Sequence, residues 1–473
     1  MGGYAEKLFP AATPSGLATS VILGVLTLFW IIITREATPL RRIPGPFLAS
    51  ITKLWIVQKQ RGYKRPLVDI ELHKKYGRII RIAPNEVSIS SPQAFRTIYG
   101  TKGDWYIGTS TCGWNGADNL DFLSEGNMEK YRTQRRAVGP AYAEAAMKDL
   151  EPQIDAILEK NVNNMRERAG QSVDLDLFFN MFASDCYSMV SFSKSKNLVE
   201  DNKVDSLVLA VHAAWKYMHI VGYFPLVHRT LTAITHISAR QSTWLKHLID
   251  TVFPFMNRDR TGKQSKENPF AFPIEQIQSR FAARKKSPLD HKAQEYPKDI
   301  AGKLFQLQDE KGVLKDHWVR NMVMTNFGAG VETTAVVVAG LINNVVSHAG
   351  CQEKVHAELD KARKDGRIGK TTVGINPWVF CRDKTLYGDD AEEWRPERWL
   401  EYSPEKLKYL ETYSVSFGTG ARSCPGKYLA QAVYTKMIPM LFQDFEWSYT
   451  DPEAEKVLQC TFTVRQLNGP NDS

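Results

Sequence analysis

The chain carries little that would mark a secreted, zinc-binding or nucleic-acid-binding protein. Its six cysteines, at 112, 186, 351, 381, 424 and 460, are scattered through 473 residues with no C-x-x-C pair. That spacing argues against a disulfide framework or a zinc site and suits a reducing compartment. The ten histidines include no H-E-x-x-H or H-x-x-x-H pair, so none is assigned to a metal. After residue 65 no Pro/Ser-rich linker, long charge run or internal repeat divides the chain. Length alone suggests about three domains, yet the lack of any break predicts one large one. Acidic residues fall short of basic ones, for a formal charge of +9. No basic, aromatic-interleaved motif accompanies that excess, so nucleic acid is not expected. Much of it lies near the N-terminus, which points to a membrane surface or an acidic protein partner.

What is present begins at that N-terminus. Residues 8 to 34 hold no charged side chain, and Val21 to Ile33 is almost wholly apolar. Residues 16 to 34 approach the ~20 needed to span a bilayer as a helix. Arg35, Arg41, Arg42, Lys53, Lys59, Arg61, Lys64 and Arg65 follow, against Glu36 alone. The positive-inside rule then keeps the C-terminal part cytoplasmic. A cleaved signal peptide would want a basic leader and an A-x-A site; only Lys7 precedes the run, and no such site closes it. The expected organisation is a membrane anchor over 1–34, a basic, proline-rich hinge over 35–65, and a catalytic domain over 66–473. Pro44-Gly45-Pro46 would stiffen the hinge and hold the body at a set angle to the membrane.

The most specific run is Phe417-Gly418-Thr419-Gly420-Ala421-Arg422-Ser423-Cys424-Pro425-Gly426. Its glycines suit a tight loop that aims one sulfur in a fixed direction and exposes N–H groups able to temper a thiolate. Arg422 can pair with an anion on the same side. A fixed thiolate beside a cation is what a haem iron and its propionate require. The run matches F-x-x-G-x-R-x-C-x-G and resembles the haem-binding loop of the cytochrome P-450 family.

Upstream, the sequence from Val319 to about Ser347 reads as one long, mostly apolar helix. It contains Gly328-Ala329-Gly330-Val331-Glu332-Thr333-Thr334. Mid-helix glycines cost about 1 kcal/mol each relative to alanine, so they need a reason; close approach of a flat cofactor is one. Glu332-Thr333 places an acid beside an alcohol, a pair suited to proton relay. The segment resembles the family's A/G-G-x-D/E-T-T motif. Tyr131 and Arg135 stand one turn apart on a helix beginning near Met128, and resemble W-x-x-x-R with tyrosine for tryptophan. Pro396-Glu397-Arg398-Trp399 resembles P-E-R-F/W. Residues 68 to 100 read as a helix followed by short alternating strands.

The resemblance implies a mainly α fold with a small β region behind an N-terminal transmembrane helix. It makes Cys424 the proximal ligand of a haem b iron, and Arg422 and Arg135 the residues that hold propionates. Phe417, Ala329 and Gly330 would line the cofactor, and Glu332 and Thr333 would deliver protons. Electrons would come from NADPH through a flavoprotein reductase docking around Arg132 and Lys427. A lipophilic small molecule would be the substrate, and filamentous-fungal members of the family are the most similar.

One departure is large. Lys364 to Lys370 runs directly into Thr371 to Pro377, where the family has a helix with E-x-x-R and pocket-lining strands. An internal deletion near 370–372 is expected, from mis-splicing or a gene-model error. Glu129/Arg132 and Glu392/Arg395 have the spacing but not the place. Arg398 is then expected to lack its carboxylate–arginine partners, or to turn to solvent. Besides a monooxygenase, two readings stay open: an inactive deletion variant, and a haem-thiolate isomerase or dehydratase.

Overall fold

The computed structural model describes residues 14–99, 120, 122, 125, 127–204, 206–224, 226, 230, 270–286, 296–364, 380–420, 423–450, 456–460 and 464–468. The expected junction near 370–372 and Arg422 lie outside these residues. Two units divide the chain between Ala94 and Phe95.

The first unit opens with α1 (Pro14–Ile31), followed by a π-helical turn, Ile32–Glu36. Two short helices come next, α2 (Phe47–Ile51) and α3 (Leu54–Arg61), then α4 (Arg65–Tyr76). α4 stops at Gly77, whose φ of 94° lies in the left-handed region that favours glycine. The expected strands follow as an antiparallel hairpin, β1 (Ile79–Ala83) and β2 (Glu86–Ile89), paired Ile79 to Ile89 and Ile80 to Ser88. Alternation would send Arg81 to the face opposite Ile80 and Ile82, yet all three are buried. α5 (Pro92–Tyr99) reaches the boundary.

The second unit is helical apart from one further hairpin. In order it holds α6 (Met128–Val138), α7 (Glu144–Lys148), α8 (Glu151–Arg166), α9 (Leu175–Phe192), α10 (Leu198–Asp201) and α11 (Ser206–Val221). Then come α12 (Ala271–Lys286), α13 (Ile300–Lys311), α14 (Asp316–Ser347), α15 (Cys351–Lys364), α16 (Lys384–Tyr387), α17 (Arg398–Glu401), α18 (Pro404–Glu411) and α19 (Lys427–Asp444). β3 (Lys456–Cys460) and β4 (Val464–Asn468) pair antiparallel.

α14 is the central helix foreseen in the sequence. It is long and apolar enough to cross a membrane. Val319, Met322, Val323, Phe327, Val331 and Ala335 instead place it in the hydrophobic core. It packs chiefly on α9, where Phe192 stacks on Phe327 at 5.9 Å between ring centroids. α9 begins where Asp174 accepts the Leu177 N–H at 3.0 Å. Farther along it, the buried Asp185 carboxylate accepts the Leu198 and Val199 N–H groups at 2.9 and 3.0 Å. Burial nevertheless pushes its pKa above the usual carboxylate value.

Candidate functional site

The cysteine loop is built by its glycines. Gly418 and Gly420 both take φ of 64°, where an L side chain is strained. These turns bring the Cys424 N–H to the Phe417 carbonyl at 2.7 Å. α19 starts just beyond, after Gly426. Phe417 is partly buried and packs on the core, so it braces the loop from within.

Cys424 is exposed as a residue, while protein closes around its sulfur on the remaining sides. That enclosure pushes the thiol pKa up; the Gly426 N–H and the Arg135 guanidinium oppose the rise.

Arg135 reaches the site from α6, whose first turn is capped by Asn127 accepting from Glu129 and Lys130 N–H groups. Tyr131 is buried and meets the Phe122 ring edge-on at 5.7 Å. One turn later the Arg135 guanidinium lies 5.8 Å from the same ring. Its Nη1 is buried and has no hydrogen-bond partner among the described residues. A buried, unspent donor beside an open thiol is a donor set that fits a group carrying both a soft metal and a carboxylate. No cluster of three or more His, Cys, Asp or Glu able to hold a metal ion by itself occurs among the described residues.

The central helix carries the remaining candidate residues. Thr325, Ala329 and Val337 are exposed and Thr333 half-buried, at i, i+4 spacing, so an open stripe runs along a helix otherwise sunk in the core. The Thr333 hydroxyl donates to the Ala329 carbonyl at 2.7 Å. Glu332 is buried off this stripe, with Oε1 3.9 Å from His212 Nε2 on α11. The acid and alcohol are thus neighbours in sequence but occupy different surroundings.

Gly330 also has a reason within the protein itself. A Cβ there would lie 2.3 Å from Tyr187 Cε1, so the missing side chain makes room for a ring of α9. Tyr187 in turn shares a hydrogen bond of 3.0 Å with Thr334. Tyr434 of α19 also bonds Thr334, and burial pushes its pKa up to about 12. A Cys424 thiolate would push both tyrosines further up. Tyr187, Tyr434 and His212 have no local sequence signal; Thr334 had one, as the last residue of the E-T-T run.

Arg398 corrects the expectation of a partnerless or solvent-turned side chain. It is buried, and Nη1 donates to Asp390 Oδ1 and the Tyr387 carbonyl, both at 3.1 Å. Nη2 donates to the Asp390 and Glu393 carbonyls at 2.8 and 3.0 Å, and Nε to the Arg395 carbonyl at 3.0 Å. Arg395 braces the same Asp390 at 2.7 Å and binds Glu401. The loop before α17 therefore folds around the guanidinium and satisfies it locally.

A family model described as Cytochrome P450 matches residues 44–370 and 368–470. The two pieces meet where the sequence shortens. Among curated proteins, the chain is 29% identical to "Cytochrome P450 monooxygenase sdnT" of Sordaria araneosa, covering 86% of each chain. It is 25% identical to "Cytochrome P450 monooxygenase gsfF" of Penicillium aethiopicum, covering 89% of this chain and 91% of that one. To "Pisatin demethylase" of Fusarium vanettenii it is 24% identical over 90% of this chain and 87% of the other. The first alignment runs over 492 positions although only 86% of this chain takes part, so stretches of that relative face no residue here.

Proposed function

Since the chain belongs to the cytochrome P450 family, we propose that it is a haem-thiolate monooxygenase inserting one atom of dioxygen into a lipophilic small molecule. The Cys424 loop carries the reading: a thiol with an N–H bond from Gly426 and within the electrostatic reach of Arg135, whose buried Nη1 is unspent. Haem supplies dioxygen activation when bound.

The chain's own residues do the rest. Cys424 would hold the iron, with the Gly426 N–H sharing the thiolate's charge. Arg135 Nη1 would take a propionate, a role the motif also assigns to Arg422. Ala329, small and exposed, leaves room beside Thr333. Thr333 parks its proton on the Ala329 carbonyl, and a χ1 rotation redirects it to the open stripe. Glu332, its neighbour in the chain, would store the proton to be passed from within the protein. Val337, 44% exposed, gives the stripe an apolar end suited to a lipophilic substrate.

Electrons would arrive from an NADPH-dependent flavoprotein reductase. Exposed Arg132 and Arg136 on α6, with Lys427 at the start of α19, support docking of an acidic partner. α1 would anchor the chain in the endoplasmic reticulum membrane with the catalytic part cytoplasmic. The fungal relatives support a place in secondary metabolism or detoxification.

The test is to express the full chain, reduce it and add carbon monoxide. A red-shifted thiolate Soret band, followed by NADPH- and oxygen-dependent turnover with a reductase, is expected. No such band would sink the proposal. That outcome would favour a second reading, an inactive deletion variant, which the break in the family match at 368–370 motivates.

A further inference from the structure

The turn between α14 and α15 is made by Gly350, whose φ of 72° lies in the left-handed region. The Cys351 N–H donates to the His348 carbonyl at 3.1 Å across it, and α15 begins there. Both stretches of chain that flank the cysteine loop come to this junction.

On the upstream side, Trp394 lies against His348 with 4.8 Å between ring centroids, and it packs partly buried on the core. His348 is itself fixed, since its Nδ1–H donates to the Asn344 carbonyl at 2.7 Å. Trp394 is fixed from its own side by Arg398, which binds the carbonyls of Glu393 and Arg395, its two neighbours in the chain. Glu397 adds an ion pair with Lys354 at 2.7 Å, which holds its carboxyl below the usual range. The Lys354 side chain is 67% exposed, so that pair contributes little.

On the downstream side, the chain leaving α19 returns to the same place. The Trp447 N–H donates to Gln352 Oε1 at 2.9 Å. The Tyr449 hydroxyl donates to Asn343 Oδ1 at 2.6 Å and shares a 2.6 Å bond with Ser347 Oγ. Within α19, the Phe442 ring lies 6.5 Å from that of His356 on α15.

A loop has fewer conformations open to it when both of its stems are pinned to one rigid element. Between these stems α18 and α19 are helical, and Leu410 and Tyr413 are buried, so the fixity is passed on to Phe417 and Cys424. None of the contacts draws on residues 368–370, where the two pieces of the family match meet.

We propose that the α14–α15 junction is the clasp that positions the Cys424 loop in this shortened chain, with His348, Trp394 and Gln352 as the positioning residues. This rests on the reading of Cys424 as the residue that holds the iron and deepens it: the loop keeps its geometry without help from the shortened stretch.

The full chain is purified in detergent, and amide hydrogen exchange is followed at Cys424, whose N–H is bonded to the Phe417 carbonyl. His348→Ala and Gln352→Ala should each speed that exchange at least threefold while the amides of α8 and α9 keep their rates. Both should also convert part of the red-shifted carbon monoxide band to an unshifted one. His348→Phe retains a ring under Trp394 and should keep the parent values; Lys354→Met should change the exchange less than twofold. Parent rates at Cys424 in both alanine variants overturn the clasp. Equal acceleration in α8 and α9 also overturns it, because the effect is then general loss of stability. Failure of His348→Phe to rescue refutes the part given to Trp394 stacking. If the parent shows no red-shifted band yet its exchange responds as expected, the monooxygenase reading fails and the clasp stands. A band in the parent with unresponsive exchange refutes the clasp alone.

Discussion

Replacing Gly330 with alanine sets two effects of opposite sign against each other. Intrinsic helix propensity favours alanine by about 1 kcal/mol. Against it, the new methyl would lie 2.3, 2.5 and 2.8 Å from Cε1, Cζ and Cδ1 of Tyr187. Tyr187 is only 4% exposed, and a buried ring cannot swing aside as a flexible chain end would. It would have to retreat by roughly 1 Å to reach ordinary carbon–carbon contact. Overpacking of this kind costs about 1–3 kcal/mol. The retreat also breaks the 3.0 Å bond to Thr334, worth about 1 kcal/mol more. Packing wins, and the expected net loss is about 1–3 kcal/mol, read as a lower urea midpoint by circular dichroism. A Tyr187→Ala background removes the ring, and there Gly330→Ala should become stabilising. If Gly330→Ala is neutral or stabilising with Tyr187 in place, the packing account of this glycine is wrong.

Four further outcomes are expected. Arg398→Lys keeps the charge but cannot reach five acceptors around one plane, so stability should drop by about 2–4 kcal/mol, measured by thermal unfolding; an unchanged midpoint would refute local satisfaction of Arg398. Thr334→Val removes the hydroxyl shared by Tyr187 and Tyr434 and should cost about 1–2 kcal/mol, whereas Thr333→Val, whose hydroxyl bonds only within its helix, should cost less. Cys424→Ser should abolish the red-shifted carbon monoxide band while leaving far-ultraviolet circular dichroism unchanged. Asp390 is held below the usual carboxylate range, first by the Arg395 hydrogen bond and then by Arg398. Its lowered pKa contributes stability that is present above the unfolded value and lost as pH falls through the folded one. Acid titration of Asp390→Asn should therefore show a shallower loss of stability below about pH 4 than the parent chain.

The long apolar run around Phe327 was legible because hydrophobic patterning is a local property. Helix α14 was anticipated from Val319 and runs from Asp316; the 79–89 hairpin was anticipated from alternation. The Arg398 surroundings were not legible, although every partner lies within eleven residues. Four of its acceptor groups are main-chain carbonyls, which every residue possesses and which leave no trace in a pattern of side chains. At Gly330 the sequence registers that a side chain is missing, without registering that the Tyr187 ring lies against the gap.

By itself the sequence determined the cysteine loop, the order of motifs around it and the apolar N-terminus. Each depends on covalent spacing: glycines two apart set a turn, and charge-free runs of a given length suit a given medium. Only the tertiary structure decided which groups meet across the fold. Tyr187 and Thr334 are 147 residues apart, and Arg81 caps a carbonyl 47 residues away. Such meetings are chosen by how buried surfaces pack and by the cost of leaving a buried polar group unpaired, and neither quantity belongs to any single stretch of chain.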